Sequence, residues 1–403
     1  MKITRSVALS TWLIASIFYS YQYILRVMPS IMMQDIMQQF NINTVTFGQF
    51  SGIYYICYAL MHLPIGVMLD RYGPKKVMSL CILVTALGSL PIIISDYWLY
   101  LIIGRILIGM GSSAAILSVF KIIRLVFAQE KFTRMLSFSV MIGLVGAIYG
   151  GRPVNYICSI LGYKAVTLLF ISIGVLLSIV TFLIVPDVTN QESTSILSDI
   201  KEVFGNKKIM LICLLAGLMV GPLEGFADVW GGQFLQQVYG VEPAFALGLT
   251  STIFVGLCFG APLLNFITEK NKSYLGTIIS SAIIMVISFT FLLSGRLSIQ
   301  GMSFLFIITG ICCSYQTYAI YIASTCVRSG VAGLITAVAN MIIMIFGYLF
   351  HSAIGWIISV SGGINHPQAF IYGIAVIPIA LAIGGAGFIL MYLQEKRQAY
   401  VYP

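Results

Sequence analysis

The stretch Gly66-Val-Met-Leu-Asp70-Arg71-Tyr-Gly73-Pro-Lys75-Lys76 decides how this chain is read. It closes one apolar run with an acid and a base side by side, turns on glycine and proline, and adds two lysines before the next apolar run opens. Two apolar runs joined this way are two membrane-crossing helices with a short charged turn between them. Working outward in both directions gives twelve such runs, at 7–30, 45–69, 76–95, 98–120, 135–158, 164–185, 208–235, 244–267, 273–294, 301–323, 330–357 and 368–393. Each is close to the ~20 residues that carry a helix through a ~30 Å hydrocarbon core. Every backbone amide in lipid must bond within its own segment, so the runs are helices, and the short alternating segments of a barrel are not seen. Composition points the same way: 59% of the 403 residues are hydrophobic and 9% charged, where a soluble domain carries about 25% charged residues. The first run is too long for a signal peptide and lacks a small-residue cleavage site, so it is kept as span 1.

Lysine and arginine set the orientation. One side holds Lys2, Arg5, Arg71, Lys75, Lys76, Lys121, Arg124, Lys131, Arg134, Lys201, Lys207, Lys208, Lys270, Lys272, Arg328, Lys396 and Arg397, which is 17 of the 22 basic residues. The other side keeps Lys164 and Arg296, while Arg26, Arg105 and Arg152 fall inside spans. Both termini are therefore expected in the cytoplasm, as a multi-pass protein of a bacterial inner (plasma) membrane. This asymmetry accounts for the net charge of +9, so no nucleic-acid partner follows from it. The eight cysteines lie mostly within spans and show no metal-ligand spacing, and no Gly-rich phosphate loop is present. No cofactor or metal is expected.

The longest polar break, Pro186 to Lys208, divides the spans six and six. The expected domains are 1–186, a six-helix bundle; 187–207, a cytoplasmic linker; and 208–403, a second six-helix bundle. After span 8 the chain reads Asn265-Phe-Ile-Thr-Glu269-Lys270-Asn-Lys272, an acid–base corner like that at Asp70-Arg71. The first corner resembles the signature of the major facilitator superfamily, and the second resembles a degenerate copy with Asn265 in the glycine position. That resemblance implies an all-helical membrane fold of two pseudo-symmetric six-helix bundles, a solute path between them, and alternating access. It implies that Gly66, Asp70, Arg71, Gly73, Lys75, Glu269 and Lys270 form gating corners. Gly66 and Gly73 permit tight turning and close helix approach. The resemblance also implies that Asp70 faces the positive N-terminus of span 11, which begins near Ser329-Gly330-Val-Ala-Gly333. Arg105-Ile-Leu-Ile-Gly109 in span 4 is similar to a second family element. Gly143, Gly146, Gly150, Gly151 and Pro153 in span 5 depart from the family's antiporter pattern at Arg152-Pro153, so tight packing and a bend is the better reading there.

Charge at membrane depth costs roughly 2.5–3.5 kcal/mol on insertion scales and points to function by default. Tyr19, Gln22, Tyr23 and Arg26 share one face of span 1. Tyr54, Tyr58 and His62 share a face of span 2, and Tyr315, Gln316 and Asn340 lie in spans 10 and 11. With Arg105, these tyrosines, amides and Arg26 are the candidate solute-binding residues. The phrase around Arg26 loosely resembles the anion:cation symporter branch, where such an arginine meets an anionic substrate. Glu224 and Asp228 in span 7 are four apart, beside Pro222 and several glycines. They are candidate proton carriers, as is His62, although a lone histidine is more often a hydrogen-bonded structural residue. The bland reading of the acids is that they neutralise Arg26, Arg105 or Arg152. Three arginines against two acids favours an anionic or zwitterionic solute.

The expected function is proton-coupled symport of a small carboxylate-bearing solute by a monomer in lipid. A drug or metabolite antiporter is the alternative within transport. A non-transporting sensor or a lipid-modifying enzyme is the alternative outside it; the second lacks any nucleophile–base constellation, so no enzyme is expected.

Overall fold

The computed structural model describes residues 5–187, 196–271, 273–326 and 332–401, and every regular element among them is helical. The chain divides into two compact units, Met1–Thr194 and Ser195–Pro403. The first contains α1 (Arg5–Ile31), a short α2 (Met33–Gln39), α3 (Thr44–Ile94), α4 (Trp98–Val126), α5 (Phe132–Tyr149), α6 (Arg152–Leu161) and α7 (Tyr163–Ile184). The second contains α8 (Ile196–Gly205), α9 (Lys207–Tyr239), α10 (Pro243–Asn271), α11 (Tyr274–Leu293), α12 (Ile299–Ser324), α13 (Ala332–Val360) and α14 (Pro367–Val401). The linker region therefore carries a helix of its own, α8, which packs on α9 and α13.

Among the described residues nine helices are individually long and apolar enough to cross a membrane, and α5 with α6 forms a tenth crossing bent by 42°. The remaining two follow from physical detail. A straight helix the length of α3 would run to more than twice the thickness of a bilayer core. It is broken at Gly73, whose φ of 78° and ψ of 161° are open to glycine and strained for any residue with a Cβ. The second crossing of the unit thus ends at the acid–base corner and the third begins at Pro74. The other is α1, 27 residues long, whose apolarity is diluted by its polar and tyrosine-rich face. Among the described residues the total is twelve crossings, six in each unit.

Within the first unit, α5 lies flat against α1. A Cβ at Gly146 would run into the main-chain oxygen of Ser20, and one at Gly143 into the ring of Tyr19. Gly146→Leu is therefore expected to cost at least about 1–3 kcal/mol by overpacking. The check is the folded, monodisperse yield after detergent extraction, where Gly66→Ala should match the unsubstituted protein. The close approach expected at Gly66 is not present: a Cβ there meets no atom within 4 Å.

Candidate solute site

In the first unit the residues singled out on α1 and α3 come together. The Arg26 guanidinium carbon sits 5.0 Å from the Tyr23 ring centre and 5.1 Å from that of Tyr55. Tyr54 and Tyr58 stack at 5.8 Å, and Tyr58 meets the His62 ring at 4.9 Å. Tyr19 meets Tyr23 edge-on at 5.1 Å. The Tyr54 hydroxyl donates to Gln22 Oε1 at 2.6 Å, which ties α3 to α1. All of these residues are buried.

Arg105 is bonded to the main chain of α1. Its Nη1 donates to the Leu25 carbonyl at 2.8 Å and its Nη2 to the Arg26 carbonyl at 2.9 Å. The reason lies four residues on from Leu25, at Pro29, which has no N–H to give the Leu25 carbonyl. Arg105 reaches from α4 to supply the missing donor, with its guanidinium over the rings of Tyr54 (4.8 Å) and Phe50 (5.6 Å). Both hydrogen bonds thus go to backbone at the turn that Pro29 interrupts. The cavity of about 20 Å³ beside it, lined by Leu25, Pro29, Phe50, Ser89 and Arg105 among others, has room for one water and not for a solute.

Arg152 corrects an expectation. It stands at the first position of α6, just past the bend at Gly150–Gly151, and its side chain is exposed. It is not buried in the core of the unit. Among the described residues, the buried Lys, Arg, Asp and Glu of the first unit are Arg26 and Arg105; those of the second are Glu224 and Asp228. The tally is two against two, and the excess of positive charge read from the sequence disappears.

In the second unit α9 changes geometry where the acids sit. Its α-helical run ends at Leu218, and residues Pro222–Trp230 form a π-helical stretch, buried throughout. Such wider turns are rare and cluster at functional positions. Pro222 withholds one amide, and glycines at 217, 221 and 225 form a groove for Phe346, Phe350 and Ile354 of α13. Trp230 Nε1 donates to the His351 carbonyl at 3.2 Å, and Phe226 is held among Phe234, Phe289 and Phe306. Glu224 lies within electrostatic reach of Cys313 and Tyr315. The Tyr315 hydroxyl donates to the Ala216 carbonyl at 2.7 Å, in the last turn before the interruption. Gln316 and Asn340 are half-buried. Reading the sequence missed His351, a fully buried residue whose Nδ1 is 2.6 Å from the Gly347 carbonyl and so carries the proton. A histidine in an otherwise apolar run was the available signal.

At the corner, Asp70 pairs with Lys121 of α4 at 2.7 Å, a partner that had been counted only for topology. Lys75 lies over the Phe182 ring and Arg71 over Tyr72. At the equivalent corner of the second unit the Tyr318 hydroxyl donates to Asn265 Oδ1 at 2.7 Å, while Glu269 and Lys270 are exposed. Lys272, Arg328 and residues 329–331, which include the expected neighbour of Asp70, lie outside the described residues. The gating role implied for Asp70 makes a measurable split. Asp70→Asn is expected to slow turnover and leave solute affinity unchanged, because the exposed ion pair itself is worth only about 0–1 kcal/mol. Equilibrium binding and single-turnover transport, measured separately, check this; an affinity loss matching the rate loss overturns it. Among the described residues, no group of three or more His, Cys, Asp or Glu is placed to hold a metal.

A twelve-crossing fold in two six-helix units, with charge and tyrosine buried in the unit cores, is that of a membrane transporter. Residues 11–351 match the family model of the Major Facilitator Superfamily, and the chain belongs to that superfamily. Among curated relatives it is 26% identical over 271 residues to the quinolone resistance protein NorB of Staphylococcus aureus, strain bovine RF122 / ET3-1. That alignment covers 66% of this chain and 54% of the relative, so the chain matches about half the length of NorB. Among solved structures it resembles a bacterial homologue of the human lysosomal transporter Spinster in an inward-facing, unoccupied conformation. The TM-score is 0.78 at 15% identity, covering 96% of this chain and 97% of that one. It also resembles a point mutant of the nucleoside transporter NupG, with a TM-score of 0.76 at 12% identity over 95% and 100% of the two chains. At these identities the likeness is one of fold.

Proposed function

We propose that this protein is a proton-coupled symporter of a bacterial inner membrane, with both termini cytoplasmic, that takes up a small solute bearing a carboxylate. The observation that carries the reading is Arg26, a buried guanidinium flanked by the Tyr23 and Tyr55 rings. A planar, permanently charged fork set among aromatic faces is suited to two-pronged contact with a carboxylate. With the charge tally balanced, preference for an anionic or zwitterionic solute rests on this residue. Arg105 supports it from behind by fixing the main chain at Leu25 and Arg26. The coupling proton is carried by Glu224 or Asp228, on backbone whose π-helical geometry differs from the rest of α9.

The test is uptake into proteoliposomes. An outside-acid gradient should drive accumulation of radiolabelled monocarboxylates or amino acids. Glu224→Gln and Asp228→Asn separate the acids: the proton carrier's variant is expected to lose uphill, gradient-driven uptake and to keep solute exchange at equal pH. Full gradient-driven uptake in both variants rules out these acids as carriers. A second reading is export by proton exchange, favoured by the similarity to NorB, a quinolone resistance protein. Under it, an inside-acid gradient drives accumulation instead.

A further inference from the structure

We infer that the second unit carries a separate binding site for a small apolar molecule with one ammonium group, in a cavity at the start of α10. The cavity has a volume of about 470 Å³ and lies where the turn from α9 to α10 meets the turn from α11 to α12. That size falls within the ~300–1,000 Å³ of ordinary small-molecule sites. The cavity is at the opposite end of α10 from Glu269 and Lys270. It is also remote from the buried acids: Tyr239, on its wall, closes the helix that carries Glu224, roughly 20 Å further along.

The rim is held in place by the chain itself. Gly240 ends α9 in the left-handed conformation, at φ 64° and ψ 24°, which glycine adopts without strain. The Glu242 carbonyl accepts from the Ala246 N–H at 2.8 Å and so opens α10. Ser298 Oγ accepts from the Gly301 N–H at 3.2 Å and caps α12. The Tyr239 hydroxyl donates to the Leu292 carbonyl at 2.6 Å, tying the end of α9 to that of α11. The hydroxyls of the lining are thus engaged in holding the two turns. What faces a ligand is chemically simple. Val241, Phe245, Leu297, Ile299 and Met302 give an apolar lining, and Glu242 is the one charged side chain in it. Glu242 is exposed, and among the described residues its carboxylate forms no ion pair.

Charge complementarity selects the ligand. An ammonium group meets Glu242 at the rim while its apolar body covers the lining and leaves water. A carboxylate or phosphate on the same body is repelled by Glu242. A neutral analogue keeps the burial and loses the ion pair. One acid sets the number of ammonium groups at one. The charge preference is opposite to that of Arg26, and because the readout is binding and not uptake, this site stands or falls apart from the symport proposal.

The probe is 2-phenylethylamine carrying a diazirine on its ring, photolysed with the purified full-length protein in nanodiscs. Cross-links, mapped by peptide mass spectrometry, are expected within residues 239–245 or 297–302. Competition by unlabelled 2-phenylethylamine and by 2-phenylethanol, its neutral counterpart, gives relative affinities. The amine is expected to bind about threefold to fivefold tighter than the alcohol, the effect of one exposed ion pair. Glu242→Gln should remove that advantage and leave the alcohol unchanged, which a merely structural role for Glu242 would not do. Val241→Trp, which fills the cavity with an indole ring, should abolish labelling of both segments. Thermal unfolding identifies a misfolded variant, and Glu242→Gln, a change at an exposed position, then decides. Labelling confined to other segments overturns the site. Equal affinity for amine and alcohol, or an amine affinity unchanged by Glu242→Gln, overturns the ammonium assignment.

Discussion

Arg26→Ala is expected to abolish uptake of the solute that the unsubstituted protein carries. A solute carboxylate left opposite alanine in a buried setting loses its charge partner, which costs about 2–5 kcal/mol, or roughly thirtyfold to several thousandfold in affinity. Thermal unfolding of the variant, measured beside uptake, separates a loss of the solute contact from a loss of the fold. Arg26→Lys is the sharper variant. It keeps the charge and gives up the planar fork, so it should hold the expression level and thermal midpoint near those of the unsubstituted protein while transport stays far below. Uptake rate and solute affinity, measured on both variants, check the claim. Uptake by Arg26→Ala within a few-fold of normal would show that the solute is held elsewhere.

The second large effect belongs to Arg105, and it is one of stability. Arg105→Ala removes two charge-assisted hydrogen bonds to the carbonyls of Leu25 and Arg26, for an expected loss of about 3–5 kcal/mol. The cause can be isolated because the need arises at Pro29. Pro29→Ala restores an N–H that the Leu25 carbonyl can accept within the helix. In the Arg105→Ala background it should recover about 1 kcal/mol, the net worth of one such bond. The double-mutant cycle on thermal or denaturant unfolding is then non-additive. Additive effects would mean that Arg105 does not answer to the missing proline amide.

The spans were legible in the sequence because lipid forces each crossing to be a self-bonded apolar helix of fixed length. The break at Gly73 was legible because the turn needs a residue without a Cβ. That Tyr19, Gln22, Tyr23 and Arg26 share one face, and Tyr54 and Tyr58 another, followed from helical spacing within each span. What lay beyond reach depended on contacts between distant segments. Arg105 meets a carbonyl 80 residues away. The 42° bend between α5 and α6, which carries Arg152 to an exposed position, leaves no periodic trace. Asp70 and Lys121 are separated by 51 residues, so their pairing could not be read from either one. The π-helical stretch around Glu224 and Asp228 begins at Pro222 and lies beside the Phe346 and Phe350 ridge in the glycine groove, and span 7 alone shows only the proline and the glycines.

Both buried acids lie on one helix, and this has a consequence for how the protein is made. An acid at the centre of an isolated membrane helix costs about 2.5–3.5 kcal/mol to insert, so α9 enters the bilayer against twice that burden. The stripe at 217, 221 and 225 lets α13 come close enough to shield its backbone, but the ribosome delivers α13 only after three further crossings. Until then the two acids of α9 lack that neighbour. The integration of α9 should depend on shelter within the insertion machinery, which makes this helix the point where assembly is most exposed to delay and to degradation by membrane proteases.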